Sequence, residues 1–136
     1  MTSLQNIIET FQGVDPQMRL EMLLDFSKRL PALPERFHAQ RDEGHNRVHE
    51  CQTPVFLWVE TDDDRVHIYV DVAEDAPTVK GFLGILIKSF NGASTEELAA
   101  VPSDLLHQLG LADHIRMTRA VGLSAILARI KHAACA

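Results

Sequence analysis

The spacing of apolar positions changes along the chain, and each change predicts a different element. Leu4, Ile7, Ile8 and Phe11 fall one helical turn apart with Ser3 placed to cap, which predicts a helix over residues 4–12. Asp15-Pro16 opens a second helix, with Asp15 as N-cap and Pro16 in the first turn. Leu20, Leu23, Leu24 and Leu30 form its apolar stripe, and Pro31 stops it. No period survives over residues 31–47, where Pro31, Pro34, Gly44 and many charges predict a long irregular segment of the kind that serves function or motion.

Residues 54–60 (PVFLWVE) are a dense run of β-formers. Residues 66–72 then alternate, with Val66, Ile68, Val70 and Val72 on one face and His67, Tyr69 and Asp71 on the other. The run Thr61-Asp62-Asp63-Asp64 lies between them as a turn, so an antiparallel hairpin is expected. A hairpin alone is marginal, and a third strand is plausible near Arg47 to Glu50.

Helical periodicity returns at Pro77, where Val79, Phe82, Leu83, Leu86, Ile87 and Phe90 make a wide stripe aimed at the sheet. Asn91-Gly92 ends it. Gly81 and Gly84 inside this helix cost about 1 kcal/mol each relative to alanine, and close packing on the sheet would account for them. Ser94-Thr95-Glu96-Glu97 fits a capping box, Pro102 interrupts, and Gly110 closes a further short helix. Thr118 is placed to cap the last helix, whose Leu123, Ile126, Leu127 and Ile130 face inward. Arg129, Lys131 and His132 suit its C-terminal dipole. The fold class expected is α+β: a small antiparallel sheet packed by helices on one face.

Composition narrows the function. The 136 residues fit one domain, 1–136, long enough to bury a core without disulfide staples. No apolar run approaches the roughly 18 residues a membrane span needs, and residues 1–12 carry no basic leader. A cytoplasmic monomer is expected. The net charge of −6 repels phosphate backbones, so a protein partner is expected and nucleic acid is not. Two cysteines do not make a disulfide framework. Cys135 is penultimate, at a fraying end, whereas Cys51 stands directly before a strand.

The surroundings of Cys51 are Val48-His49-Glu50-Cys51-Gln52-Thr53-Pro54. A thiolate is the nucleophile. His49 would share a side with Cys51 in an extended segment and could take its proton, while Glu50 opposes a second negative charge. The residues by themselves leave several readings open. Cys51 can be a small buried hydrophobe in an inert adaptor. His45, His49 and Cys51 can be read as metal ligands, although a fourth is not evident. A Cys–His hydrolase would need an oxyanion hole that nothing nominates. Asp75, before Pro77, is explained as a helix N-cap.

Residues 48–59 (VHECQTPVFLWV) resemble the signature of the SufE family, a Cys-Gln-Ser/Thr followed by an apolar strand. Arg29-Leu30-Pro31 is similar to the family's Leu-Pro, and Val79-Lys80-Gly81 to its Val-Lys-Gly helix start. Thr118-Arg119 with Gly122-Leu123 is similar to its Ser-Arg and Gly-Leu at the last helix. The motifs stand in the family's order over nearly the whole chain.

The resemblance implies a SufE/NifU (IscU-like) fold and a sulfur acceptor with no turnover of its own. Cys51 would take sulfur from the persulfide of a PLP-dependent, SufS-like cysteine desulfurase, activating it. The sulfur would pass to a cluster scaffold such as SufBCD, or to other acceptors in a related system. A cluster scaffold itself would need more cysteines than Cys51 offers. No resident cofactor is implied, only a transient persulfide on Cys51. Arg119, Gln52, Glu50, His49 and Asp75 are the candidate partner-binding residues. Many members carry glycine where Glu50 stands, and glycine would ease a swing of the loop that Glu50 stiffens. At rest Cys51 is expected in an apolar pocket with Val55 and Leu57, turning outward on docking.

Overall fold

The structure is a computed structural model that describes residues 2–51, 53–111 and 117–134. Helices α1 (Thr2–Gln12) and α2 (Pro16–Lys28) come first, and Asp15 caps α2 by accepting the Met18 N–H at 2.8 Å. Strands β1 (Val55–Asp62) and β2 (Arg65–Val72) pair antiparallel from Val55–Val72 to Asp62–Arg65. The turn is therefore only Asp63-Asp64, narrower than the tetrapeptide expected. Both residues take positive φ, +49° and +63°, the two-residue geometry whose twist matches a hairpin. Helices α3 (His38–Asp42), α4 (Pro77–Phe90), α5 (Thr95–Ala99), α6 (Leu105–Gln108) and α7 (Met117–Ala134) complete the chain. The α+β class expected from periodicity is the one found.

Val66, Ile68, Val70 and Val72 are buried, with Val55 and Leu57 beside them, under α4 and α7. Gly81 and Gly84 do mark a close approach, but to α2 rather than to the sheet. A Cβ on Gly81 would stand 2.4 Å from the Leu23 carbonyl oxygen, and one on Gly84 2.5 Å from that of Phe26. The backbones of α2 and α4 touch because neither glycine has a side chain to hold them apart.

Residues 31–47 are not irregular throughout. They form a 3-10 helix, Glu35–Phe37, running into α3. This segment covers the second face of the hairpin. Phe37 stacks on Trp58 with ring centroids 4.9 Å apart and lies 5.0 Å from Tyr69, while Leu33 joins the cluster. The Trp58 indole N–H donates to Gln40 Oε1 at 2.8 Å, satisfying the one polar atom that burial of the ring would strand.

The two open edges of the hairpin are also covered. At the β1 edge, Val48 N–H donates to Val55 O and Leu57 N–H to Asn46 O, both at 2.9 Å. The third strand expected near Arg47 reduces to one bridge, Arg47 with Phe56, because the chain then turns away. At the β2 edge, Val66 N–H donates to Ala93 O at 2.8 Å, and Asn91 Oδ1 accepts the Ile68 N–H at 3.0 Å. Such short covers protect a hairpin from pairing with other chains.

Three expected caps differ: Ser3 lies inside α1 rather than ahead of it. The N-cap of α4 is Ala76, with no side-chain bond, and Asp75 is exposed on the preceding turn. Thr118 lies inside α7 rather than ahead of it.

Candidate functional site

Backbone geometry builds the site. After the bridge at Arg47, Cys51 N–H donates to Val48 O at 3.1 Å, closing a β-turn over residues 48–51. His49 and Glu50 sit at its corners, exposed, while Val48 and Cys51 point inward. The turn breaks the alternation that would have put His49 on the side of Cys51. Only 8% of Cys51 is exposed, and it belongs to the main core with Val55 and Leu57. The apolar resting place expected for it is the one found.

Helix α7 closes the site from above. A Cβ on Gly122 would lie 2.8 Å from Cys51 Sγ and 3.4 Å from the Glu50 carbonyl oxygen, so the helix backbone comes this close to the turn because residue 122 has no side chain. Two helical turns further on, Arg129 donates from Nη1 to Arg47 O at 3.1 Å and from Nη2 to Glu50 Oε1 at 3.2 Å. A groove of about 510 Å³ opens beside this pair, lined by Glu50, Leu57, Val59, Ala125, Arg129 and His132.

Burial pushes the Cys51 thiol up, and the Glu50 carboxylate adds to it; the cations of Arg129 and Arg47 act in the opposite direction. The net effect is upward, so the resting side chain is a neutral thiol at neutral pH.

Of the residues nominated from sequence, Glu50 and Cys51 are brought together with α7. His49 is exposed at the turn. Asp75 is exposed two residues beyond Ala73, whose N–H donates to Pro54 O at 3.2 Å. Gln52 lies outside the described residues. Arg119 falls in the first turn of α7, and its side chain is outside those described. Arg129 and Arg47 are site residues that the sequence reading does not nominate. Arg129 is expected from sequence only to suit the helix dipole, yet its spacing of seven from Gly122 puts both on one helix face, a signal that the Gly-Leu motif makes readable.

The histidines near Cys51 do not build a metal site. His45 lies 3.3 Å from Glu43, and among the described residues no group of three or more His, Cys, Asp or Glu is placed to hold an ion. Among the described residues no helix is long and apolar enough to cross a membrane.

The chain is thus an α+β protein that holds a core-packed cysteine on a turn beneath its last helix. The chain belongs to the SufE family: the family model described as "SufE: Fe-S metabolism associated domain" matches residues 5–134. It is 38% identical over 129 residues to an uncharacterized SufE-like protein of Mycobacterium tuberculosis, covering 94% of this chain and 88% of that one. It is 29% identical over 135 residues to an uncharacterized SufE-like protein of Rhizobium meliloti, covering 96% and 94%. The fold matches the solution structure of a hypothetical protein from Thermus thermophilus with a TM-score of 0.83 and 31% identity, over 98% of this chain and 93% of that one.

Proposed function

We propose that this protein is a sulfur acceptor for a PLP-dependent, SufS-like cysteine desulfurase, carrying the sulfur on Cys51 to iron–sulfur cluster assembly on a scaffold such as SufBCD. It works as a cytoplasmic monomer with no resident cofactor. The observation that carries this reading is the placement of Cys51. In a SufE-family chain, the cysteine sits at the end of a turn, 8% exposed, where a persulfide would be shielded from reductants.

The step is thiol–disulfide exchange on a persulfide. The Cys51 thiolate attacks the outer sulfur of the donor's persulfide. A new S–S bond forms on Cys51, the donor's S–S bond breaks, and its electron pair leaves with the donor cysteine thiolate. The Cys51 proton must go to a base or to water first, and burial opposes that. Ionisation therefore follows exposure of the turn on docking.

The same burial favours a second reading, an adaptor in which Cys51 is inert packing. Desulfurase turnover on free cysteine separates the two, measured with wild type, Cys51→Ser and Cys135→Ser, with intact masses alongside. A rise in turnover and a mass gain of one sulfur, both lost in Cys51→Ser and kept in Cys135→Ser, support transfer. Equal behaviour of wild type and Cys51→Ser, with no added sulfur, makes the protein an adaptor.

A further inference from the structure

We propose that Arg129 is a positioning residue for Cys51: its guanidinium ties the entry and the second corner of the 48–51 turn to α7 and so holds the cysteine against Gly122. One planar fork reaches the Arg47 carbonyl oxygen just before the turn and the Glu50 carboxylate inside it, at 3.1 and 3.2 Å. The helix that carries Arg129 is fixed in the core by Leu123, Ile126, Leu127 and Ile130, all 3% exposed or less. The turn therefore cannot leave the pocket without giving up both bonds.

The ion pair is half-exposed, 41% at Arg129 and 44% at Glu50, and such a pair by itself stabilises little. The bond to the Arg47 carbonyl comes from a charged donor on a part-buried path and is the stronger half. The clamp is thus strong enough to bias the resting state and weak enough to release. A partner carboxylate taking Arg129, or a partner cation taking Glu50, would undo half of it. Glu50 and Arg47 act on Cys51 from its own segment and Arg129 from α7, while His49 is exposed at the corner of the turn and His132 lines the groove beside it. The β1 residues lining the same groove, Leu57 and Val59, are apolar. A glutamate beside the cysteine, which makes the turn more anionic, acquires a purpose as the partner of this clamp.

The idea deepens the sulfur-acceptor reading, but its test needs no desulfurase, so the two fail separately. The rate constant for alkylation of Cys51 by iodoacetamide is measured against pH in a Cys135→Ser background, for wild type, Arg129→Ala, Arg129→Lys, Glu50→Gln and the double variant Arg129→Ala/Glu50→Gln. In Arg129→Ala the high-pH plateau should rise about tenfold, the scale of one charge-assisted hydrogen bond. Glu50→Gln, which keeps the bond to Arg47 O, should rise about threefold. Arg129→Lys should recover part of the protection, and the double variant should match Arg129→Ala alone. High salt should accelerate wild type and leave Arg129→Ala unchanged. A plateau in Arg129→Ala equal to wild type overturns the proposal, as do effects that multiply in the double variant. Should Arg129→Ala not fold by circular dichroism, Glu50→Gln decides: an unchanged plateau there overturns the clamp.

Discussion

Gly122 and Cys51 are in contact through an absent side chain: a Cβ on Gly122 would stand 2.8 Å from the Cys51 sulfur and 3.2 Å from its Cα. Gly122→Ala tests this. Alanine in a helix interior is worth about 1 kcal/mol over glycine. Here the clash includes backbone that cannot rotate away, and overpacking of that kind costs about 1–3 kcal/mol. The expected outcome is a Tm lower by about 3–6 °C, together with faster alkylation of Cys51 as the turn is pushed off α7. A higher Tm with unchanged alkylation would mean that α7 does not seat on the turn.

The aromatic cover on the second face of the hairpin can be read through the single tryptophan of the chain. Trp58 is 5% exposed and stacked on Phe37 at 4.9 Å. Phe37→Ala removes the ring that links the 3-10 segment to Tyr69 and Trp58, and should cost about 3–5 kcal/mol. Trp58 emission should shift to the red in the native baseline, before any unfolding. A blue native spectrum in this variant would show that residues 31–42 do not shield the indole.

The contrast between the elements that periodicity reveals and those it hides has a physical cause. The stripe Leu123, Ile126, Leu127, Ile130 and the alternation Val66, Ile68, Val70, Val72 each record burial against one continuous surface, so local spacing suffices. The segment leading into α3 has only two buried apolar residues, Leu33 and Phe37, and their partners Phe56, Trp58 and Tyr69 lie on strands further along, as do the polar partners of Arg36 and Gln40. Two apolar residues carry no period. Gly81 and Gly84 announce a close approach, but a glycine does not name what approaches it, and the surface is that of α2. The site divides in the same way. Cys51 and Glu50 are neighbours in sequence, whereas Glu50 and Arg129 are 79 residues apart and meet only in the fold.

The elevated thiol of Cys51 makes stability depend on pH in one direction. Burial and then Glu50 favour the neutral form in the folded chain, against Arg129 and Arg47. The unfolded chain exposes an ordinary thiol with a pKa of about 8.5. Stability from this group is thus complete below that value and is lost as pH rises from it towards the higher folded value. Urea unfolding of wild type and Cys51→Ala over this alkaline range isolates the group, because the variant has nothing to titrate there. Wild type should lose stability relative to Cys51→Ala above about pH 8.5. A constant difference between the two would place the resting thiol in an ordinary, solvated setting.

Two large apolar side chains stand out in solvent among the described residues: Val121 at 58% and Met18 at 43%. Scattered exposed apolar residues are normal on a folded surface, so position must decide whether either has a role. Val121 adjoins Gly122, the residue seated on Cys51, whereas Met18 lines an apolar groove of about 420 Å³ between α1 and α2. A desulfurase that delivers sulfur to Cys51 has to approach over the turn and the start of α7, and the neighbourhood of Val121 then becomes covered. Val121→Glu should fold with an unchanged Tm, since the side chain packs little, and should raise the concentration needed for half-maximal stimulation of the desulfurase by about tenfold, the scale of one well-buried apolar anchor with an added charge penalty. Met18→Glu should leave stimulation as it is. If Met18→Glu weakens stimulation and Val121→Glu does not, the desulfurase docks on the α1–α2 groove and not over the start of α7.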